Sequence, residues 1–436
     1  MKIPERVRNL EKKPAPILTE SFGPLQGIRV LSTGNLIAAP FAGSMFADFG
    51  AEVIHIENPG VGDPLRQMPP FIEKDGEKVS AVWLDNGRNR LSMELDLRIN
   101  INPLSQEVFL NLIKVCDIWI DNLAFPDQLS DITDKFIHEV NPQITIVHES
   151  GYGNPDFGGI PEVCLQPSSD LTGQAYGGWS YLVGDPEGPP TRIPAGVVDY
   201  ITALNVFFSG LVGYIDTQRR QKGQVFDCAQ FEVIARILGE NFSNYFNLGI
   251  INKRQGNKSA VTQPYNFFKA SDGYIALGAY GFSVYGRYLK AMAEATGLNP
   301  ADYPMDEAAN GSEALNSPKG KNLDRITEEW IARHTREEVA SLFEKYEVPC
   351  GPVYNAEDAS ADPHWLERDD FITFMDEELQ KEVKSFGFAP KFSLNPGRVW
   401  RGAPRLGQDT NDILLKILGY TPEEVQMLWK EKIVCL

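Results

Sequence analysis

The sequence predicts an α/β protein with a doubly wound parallel sheet in a large domain and a smaller α+β domain. Three observations carry this. Over roughly the first 230 residues, short β-rich apolar runs alternate with single helical stretches, the rhythm of βαβ units. From about residue 245 the texture changes to hairpin-like and polar helical segments. At 436 residues the chain has room for two or three domains and more than one core.

Taken in order, residues 1–22 carry Pro4, Pro14 and Pro16 without a clear period and read as an arm. The large domain is assigned to 23–230. Residues 28–31 form a short strand, 32–40 a loop, and 41–49 a small-residue helix closed by Gly50. A second strand follows at 53–56, ending at Glu57, and 91–97 alternates like a third. Next come a helix over 104–115, strands at 117–120 and 144–147, and the turn Gly151-Tyr152-Gly153. Strands separated by single helices imply parallel pairing. Residues 154–169 are a Pro/Gly-rich loop; helices are expected at 170–177, 197–219 and 229–242, with a strand at 224–226.

The small domain is placed at 235–355. Its segment 267–279 is a hairpin marked by Asp272-Gly273, residues 311–321 read as a polar loop, and Thr335 with Glu338 forms a capping box. The tail, 365–436, ends in helices at 411–418 and 422–430.

The charge balance, 41 basic against 59 acidic residues and a net −18, argues against a nucleic-acid partner and against an anionic membrane surface. Five scattered cysteines with no CxxC argue against a disulfide framework and a Cys-based zinc site, and fit a cytoplasmic setting. MKIPERVRNLEKK lacks the apolar centre of a signal peptide. The apolar stretch 200–215, edged by Asp199 and Asp216 and containing Asn205, reads as a buried helix, too short for a membrane span.

Several residues could carry chemistry. The turn STGNLIAAPFAG, 32–43, leads from a strand into a helix whose first turn holds Pro40. Such a turn offers backbone N–H groups to a phosphate; an ordinary βα connection looks the same. GxGxxG is absent, although Glu57 ends the second strand where a ribose-binding acid would stand. Arg66, Arg88 and Arg90 lie beside Gly-containing loops and could grip phosphates or be solvated surface charge. Asp170, in SSDLTGQA, stands at a helix start. It is either an N-cap or a nucleophile, since a carboxylate with a reference pKa near ~4 is ionised at neutral pH and attacks a thioester without a base. The histidines, 55, 138, 148, 334 and 364, show no metal spacing, and there is no GxSxG. His55 and His148 fall on expected strands and read as buried and satisfied.

GPLQGIRVLSTGNLIAAPFAGSMFADFGAEVIHIENPGVGDPLRQ, LQPSSDLTGQAYGG, Val198-Asp199-Tyr200, KGQVFD at 222–227 and WRGAPRLGQDTNDILLKILGY together resemble the class III CoA-transferases, from about residue 23 to the end. NGRNRLSMELDL and PCGPVYNAEDASADPHW place the resemblance nearest the carnitine and bile-acid CoA-transferase branch. It implies a large domain built from both chain ends, a small middle domain, a ring-shaped chain and an interlocked homodimer. It also implies CoA exchange between an acyl-CoA and a free carboxylic acid, carnitine-like or bile-acid-like, with no cofactor beyond CoA itself as substrate. Asp170 would be the nucleophile, passing through an aspartyl anhydride. Asn35, Leu36, Ile37, Ala38, Arg66, Arg90 and Asn122 would line the CoA site. The chain departs from the pattern in offering no basic residue in Asn122-Leu123-Ala124-Phe125-Pro126-Asp127-Gln128, and in lacking the glycine run of the formyl-CoA branch near Leu277-Gly278-Ala279. An acyl-CoA racemase using Asp170 as acid and base with a histidine partner is the alternative; His138 and His148 lie upstream, but neither position matches such a partner. A nucleotide-dependent oxidoreductase and a CoA-binding scaffold without activity are the remaining readings.

Overall fold

The computed structural model describes residues 2–98, 102–123 and 132–435. Two compact units emerge: residues 1–179, 193–240 and 367–436 form the first, and 180–192 with 241–366 the second.

The first unit is organised by a six-stranded parallel sheet. Its strands, with the hairpin that interrupts them, are β1 (Arg29–Ser32), β2 (Glu52–Glu57), β3 (Phe71–Lys74), β4 (Glu77–Ser80), β5 (Leu91–Glu94), β6 (Ile118–Asp121), β7 (Thr145–Ser150) and β8 (Val225–Ala229). The order is β5-β2-β1-β6-β7-β8, with β3 and β4 paired separately. Every pairing in the large sheet is parallel, from Ile54 opposite Leu91 to Val147 opposite Phe226. β1, β2, β5 and β6 are buried along their whole length. Burial on both faces explains their unbroken Val/Ile/Leu character, and each fully buried side chain contributes about 1.5–3 kcal/mol.

One face of the sheet carries Val30, Val53, Ile118 and Ile120 against Phe46 of the helix Ala38–Asp48 and Val206 of the helix Val197–Arg220. The other carries Leu31, Ile54 and Ile146 against the helix Pro103–Val115 and the tail, including Ile413 and Leu428. The arm belongs to this unit: Val7 is buried and Arg6 bonds Glu424 at 2.6 Å. The tail returns through the antiparallel hairpin of Phe371–Asp376 and Lys381–Phe386, which packs Phe374 and Val383 on Trp83 and Leu84.

The helix Val197–Arg220 corrects one expectation. It runs for 24 residues, long and apolar enough by composition to cross a membrane, and it is not buried all round. Its inner side packs on the sheet, while Leu204, Phe208, Val212 and Ile215 are exposed on the other. The helix expected over 229–242 stops at Ile237, where Gly239 takes a left-handed φ of 61°.

The second unit has a three-stranded antiparallel sheet of β9 (Tyr265–Ala270), β10 (Gly273–Gly278) and β11 (Cys350–Pro352), ordered β11-β10-β9. The Asp272-Gly273 hairpin is present, with Gly273 opposite Ala270. Thr335 and Glu338 form their capping box. The polar loop expected at 311–321 is instead two helices, Ser312–Asn316 and Pro318–Ile331. Ser317 caps the second through the Gly320 N–H, and Pro318 occupies its first turn, so residues that look like breakers are start signals.

Candidate active site

Strand order reverses at β1, which lies between β2 and β6. In open α/β sheets ligands bind beyond the carboxyl ends of the strands at such a switch point. The turn after β1 and the end of β6 meet there. Asn122 receives the Asn35 N–H on its Oδ1 at 2.8 Å and returns its Nδ2 to the Asn35 carbonyl at 3.0 Å. The next residue, Leu36, adopts φ 64° and is exposed, its N–H held by Asp63 Oδ1 at 3.2 Å. Ile37 then starts the helix and Ala38 is buried. The N–H groups of Asn35 and Leu36, expected to face a phosphate, are therefore taken by side-chain acceptors of the protein. The segment 124–128, where the absence of basic residues was noted, lies outside the described residues.

Beyond β7 and β8 three carboxyl groups converge. Gly151 has no room for a side chain, because a Cβ would lie 2.0 Å from that of Ser168. This approach brings the Pro/Gly-rich loop back to the sheet and delivers the helix Asp170–Tyr176. Ser169, not Asp170, occupies its N-cap, and its N–H is received by the Thr172 hydroxyl at 2.7 Å. Asp170 is half-buried between exposed neighbours, Ser169 and Leu171. Its Oδ1 accepts the Val198 N–H and its Oδ2 the Gln174 Nε2, each at 2.8 Å. Gln174 is buried and clamps Ile193 through both the N–H and the carbonyl. Gly173 permits this packing, since a Cβ there would sit 2.8 Å from Val198.

Asp199 lies in the first turn of the helix Val197–Arg220, behind two left-handed residues, Ala195 (φ 69°) and Gly196 (φ 66°). A left-handed alanine costs about 1–2 kcal/mol, a strain held by the surrounding structure. Asp199 Oδ1 accepts the Gln230 Nε2 at 3.0 Å. Burial and then the Asp170 charge push its carboxyl up to about 6, against the Gln230 bond. Glu149, buried at the end of β7 with its Oε1 unpartnered, is pushed up to about 8 by burial and the Asp199 charge. Like-charged groups held apart from solvent and counter-ions are where pKa values separate and acid–base roles arise.

The arginines behave differently from the expectation. Arg66 is an internal partner: Nε and Nη2 bond the two Glu57 oxygens at 2.7 Å each, and Nη1 the Pro404 carbonyl. Its guanidinium lies 3.8 Å from the Trp83 ring centroid. Glu57 also accepts from Ser92 and the Asp63 N–H. Burial alone would raise the Glu57 carboxyl, yet Arg66 holds it down at about 2. That leaves Glu57 committed to protein partners and removes the ribose reading. Arg90 is 0% exposed, reaches the Pro40 carbonyl, and keeps Nε and Nη2 without hydrogen bonds. Burial brings it down to about 10. Neither guanidinium faces solvent as a phosphate clamp. Arg88 is bound to Asp48 and Asp85.

The histidines are committed as well. His55 sits between Ser32 and Asp63, and His148 between Asp121 (2.6 Å) and Asp134 (3.0 Å). Burial opposes its charge, but those two carboxylates hold His148 well above the usual imidazole range. His138 bonds the Ile144 carbonyl. Among the described residues none of them bonds Asp170 or Asp199. No group of His, Cys, Asp and Glu among the described residues is arranged for a metal ion.

A parallel sheet with a polar turn at its switch point and a cluster of acids beyond β7 and β8 defines the candidate site. The profile of CoA-transferase family III matches residues 25–410, and the chain belongs to that family. It is 33% identical over 409 residues to the bile acid CoA-transferase BaiK of Clostridium scindens, covering 93% of this chain and 88% of that protein. It is 29% identical over 419 residues to the succinyl-CoA–D-citramalate CoA-transferase of Chloroflexus aurantiacus, covering 94% and 98%. Among solved structures, a CaiB/BaiF family protein of Brucella suis superposes with a TM-score of 0.77 at 25% identity, over 91% of this chain and 100% of that one. A Mycobacterium tuberculosis protein shares the fold with a TM-score of 0.74 at 21% identity, over 90% and 99%. The chain is thus a CoA-transferase, acting on acyl-CoA.

Sequence reasoning did not single out Asp199, Glu149, Gln230 or Gln174. Asp199 had a signal, a lone acid opening the longest apolar helix after a Pro-rich stretch. The two glutamines had none, because their roles exist only once distant segments meet.

Proposed function

We propose that this enzyme moves CoA between an acyl-CoA and a free carboxylate, and that Asp170 is the attacking group. The observation that carries this is how Asp170 is held. Both of its oxygens accept from N–H donors at 2.8 Å, the pattern a carboxylate anion takes, and each keeps a second lone pair. The two bonds fix the direction in which those lone pairs point, and the residues on either side are exposed. Its two acidic neighbours are worse placed to attack: Glu149 is buried, and Asp199 is the one whose proton Asp170 helps to retain.

The steps balance without proton transfer. An Asp170 oxygen attacks the thioester carbonyl, the C–S bond breaks, and a mixed anhydride and CoA thiolate result. The thiolate attacks the aspartyl carbonyl, releasing the donor acid as its carboxylate and leaving an aspartyl-CoA thioester. The acceptor carboxylate attacks that thioester, again expelling thiolate, which takes the acceptor acyl group and restores the Asp170 carboxylate. A cycle that moves no proton needs no histidine. Asn35, Leu36, Ile37, Ala38 and Asn122 border the crevice for the pantetheine end of CoA, with Arg66 and Arg90 supporting it from beneath.

The acceptor is proposed to be a carboxylic acid with an apolar or hydroxylated body, following the bile-acid and citramalate relatives. The exposed row Leu204, Phe208, Val212 and Ile215 is proposed to be covered by a second copy of the chain. Sedimentation should give a dimer that Phe208→Asp weakens; an unaffected monomer contradicts it.

The test is turnover of a donor acyl-CoA with a panel of acids. Asp170→Asn should lower kcat by at least ~10³-fold, while Asp199→Asn retains activity within about tenfold. The reverse ranking moves the attack to Asp199.

A further inference from the structure

A largely buried ion cluster near the Asn35 turn is not called on by the transfer chemistry. His148 shares one face of β7 with Ile146, while Val147 is turned the other way, toward the helix Val197–Arg220. The His148 ring meets two carboxylates: Nδ1 lies 2.6 Å from Asp121 Oδ2 and Nε2 lies 3.0 Å from Asp134 Oδ1. A neutral imidazole carries one N–H, so two carboxylates on its two nitrogens call for the imidazolium. Asp227, opposite His148 on β8, is a third acid bearing on the ring. Burial opposes the ring's charge, and Asp121 and Asp134 outweigh it.

We propose that His148 is a positioning residue for acyl-CoA binding: bonded through Nδ1 to Asp121, it fixes the end of β6 so that Asn122 holds the Asn35 turn in the shape that receives CoA. The proposal rests on the reading of that turn as a border of the CoA crevice.

Two routes lead from the ring to the turn. Asp121 is the last residue of β6, pairs with His148 in register and precedes Asn122. Its Oδ2 takes the ring while its Oδ1 accepts the Leu123 N–H at 3.3 Å, so one carboxylate brackets Asn122 on both sides. Asn122 then bonds Asn35 in both directions. The second route runs through Trp119, whose ring meets that of His148 edge-on with centroids 5.5 Å apart. Its Nε1 donates to Thr33 Oγ1 at 2.9 Å, two residues before Asn35. Between Thr33 and Asn35, a Cβ on Gly34 would fall 2.6 Å from Asn122 Oδ1, so a shift at the end of β6 displaces the turn. Asp121 is 5% exposed, and without the ring it is a buried carboxylate that has lost its cation. Such a group is driven to protonate or to turn toward solvent, and its movement carries Asn122 with it.

The experiment measures kcat and KM for one acyl-CoA donor, at a saturating level of one acid that the enzyme accepts. The parent is compared with His148→Asn, His148→Gln, Asn122→Ala and the double variant of the last two. An asparagine amide nitrogen falls where Nδ1 stood and still donates to Asp121; a glutamine amide reaches toward Asp134 instead. His148→Gln should raise KM for the acyl-CoA about five- to tenfold with kcat within about threefold, and His148→Asn should keep KM within about threefold. Asn122→Ala should raise KM about tenfold. The double variant should exceed Asn122→Ala by no more than about twofold, because both changes act through one latch. A parent-like KM in His148→Gln, a His148→Asn enzyme no better than His148→Gln, or effects that multiply in the double variant overturns the proposal. An unchanged KM in Asn122→Ala overturns the reading of the turn instead. Should His148→Gln fail to fold, Asp121→Ala with Asn122→Ala repeats the cycle, and multiplying effects there overturn the proposal.

Discussion

Two buried charge clusters sit at the carboxyl ends of the same sheet, and they have opposite fates. At the end of β2, Glu57 is met by Arg66 on both oxygens, by Ser92 and by the Asp63 N–H, and is held down at about 2. Past β7, Glu149 and Asp199 have amides and other acids for company, and are pushed up to about 8 and 6. Burial raises the carboxyl in both places. The difference is whether a cation meets it. A fully paired acid is locked and chemically quiet; acids among acids are poised to change charge or attack. The first cluster is internal to the fold, and the second is the one proposed above to face the chemistry.

Breaking the quiet cluster should be a stability event. Arg66→Ala leaves Glu57, whose side chain is fully buried, without its cation. A loss of about 3–5 kcal/mol is expected in denaturant unfolding, with kcat per folded molecule nearly unchanged. A large kcat loss at full stability would place Arg66 on the substrate. The pH dependence has the matching sign. The folded Glu57 pKa lies below its ordinary 4.5, so its contribution is complete above pH 4.5 and fades as pH falls toward about 2. Thermal melts of the parent between pH 5 and 3 should fall more steeply than those of Glu57→Gln; parallel curves would contradict the pairing.

The smallest effect sharpens the other side. Asp199, with a carboxyl at about 6, gains its charge beside Asp170 as the pH rises through that value. The parent's kcat should show an inflection there, and Asp199→Asn should lose it with only a modest change in the plateau. An inflection that survives the substitution would separate the two acids electrostatically.

How much of this was readable beforehand has the same physical basis. The βα core was legible because strands buried on both faces must be apolar, as at 53–56 and 144–147. The hairpin of Phe371–Asp376 and Lys381–Phe386 was not, since its charged, half-exposed residues carry little alternation. The helices within 312–331 were hidden by Gly311, Ser317 and Pro318, which act as helix starts only because of the residues after them. At the site, the segment around Asp170 stood out as a helix start carrying an acid. That Val198 and Gln174 supply the N–H groups that hold it is a tertiary fact. So is the burial of Arg66 and Arg90, which turns expected phosphate ligands into internal partners.

The central claim is that the Asp170 carboxylate is acylated during turnover. Hydroxylamine added during turnover converts an aspartyl anhydride or aspartyl thioester into a stable hydroxamate. Trypsin separates the candidates, because Asp170 lies on the peptide 136–192 and Asp199 on 193–219. Mass spectrometry should find the hydroxamate at Asp170, dependent on acyl-CoA. A hydroxamate at Asp199, or none on either peptide while the enzyme turns over, would contradict it.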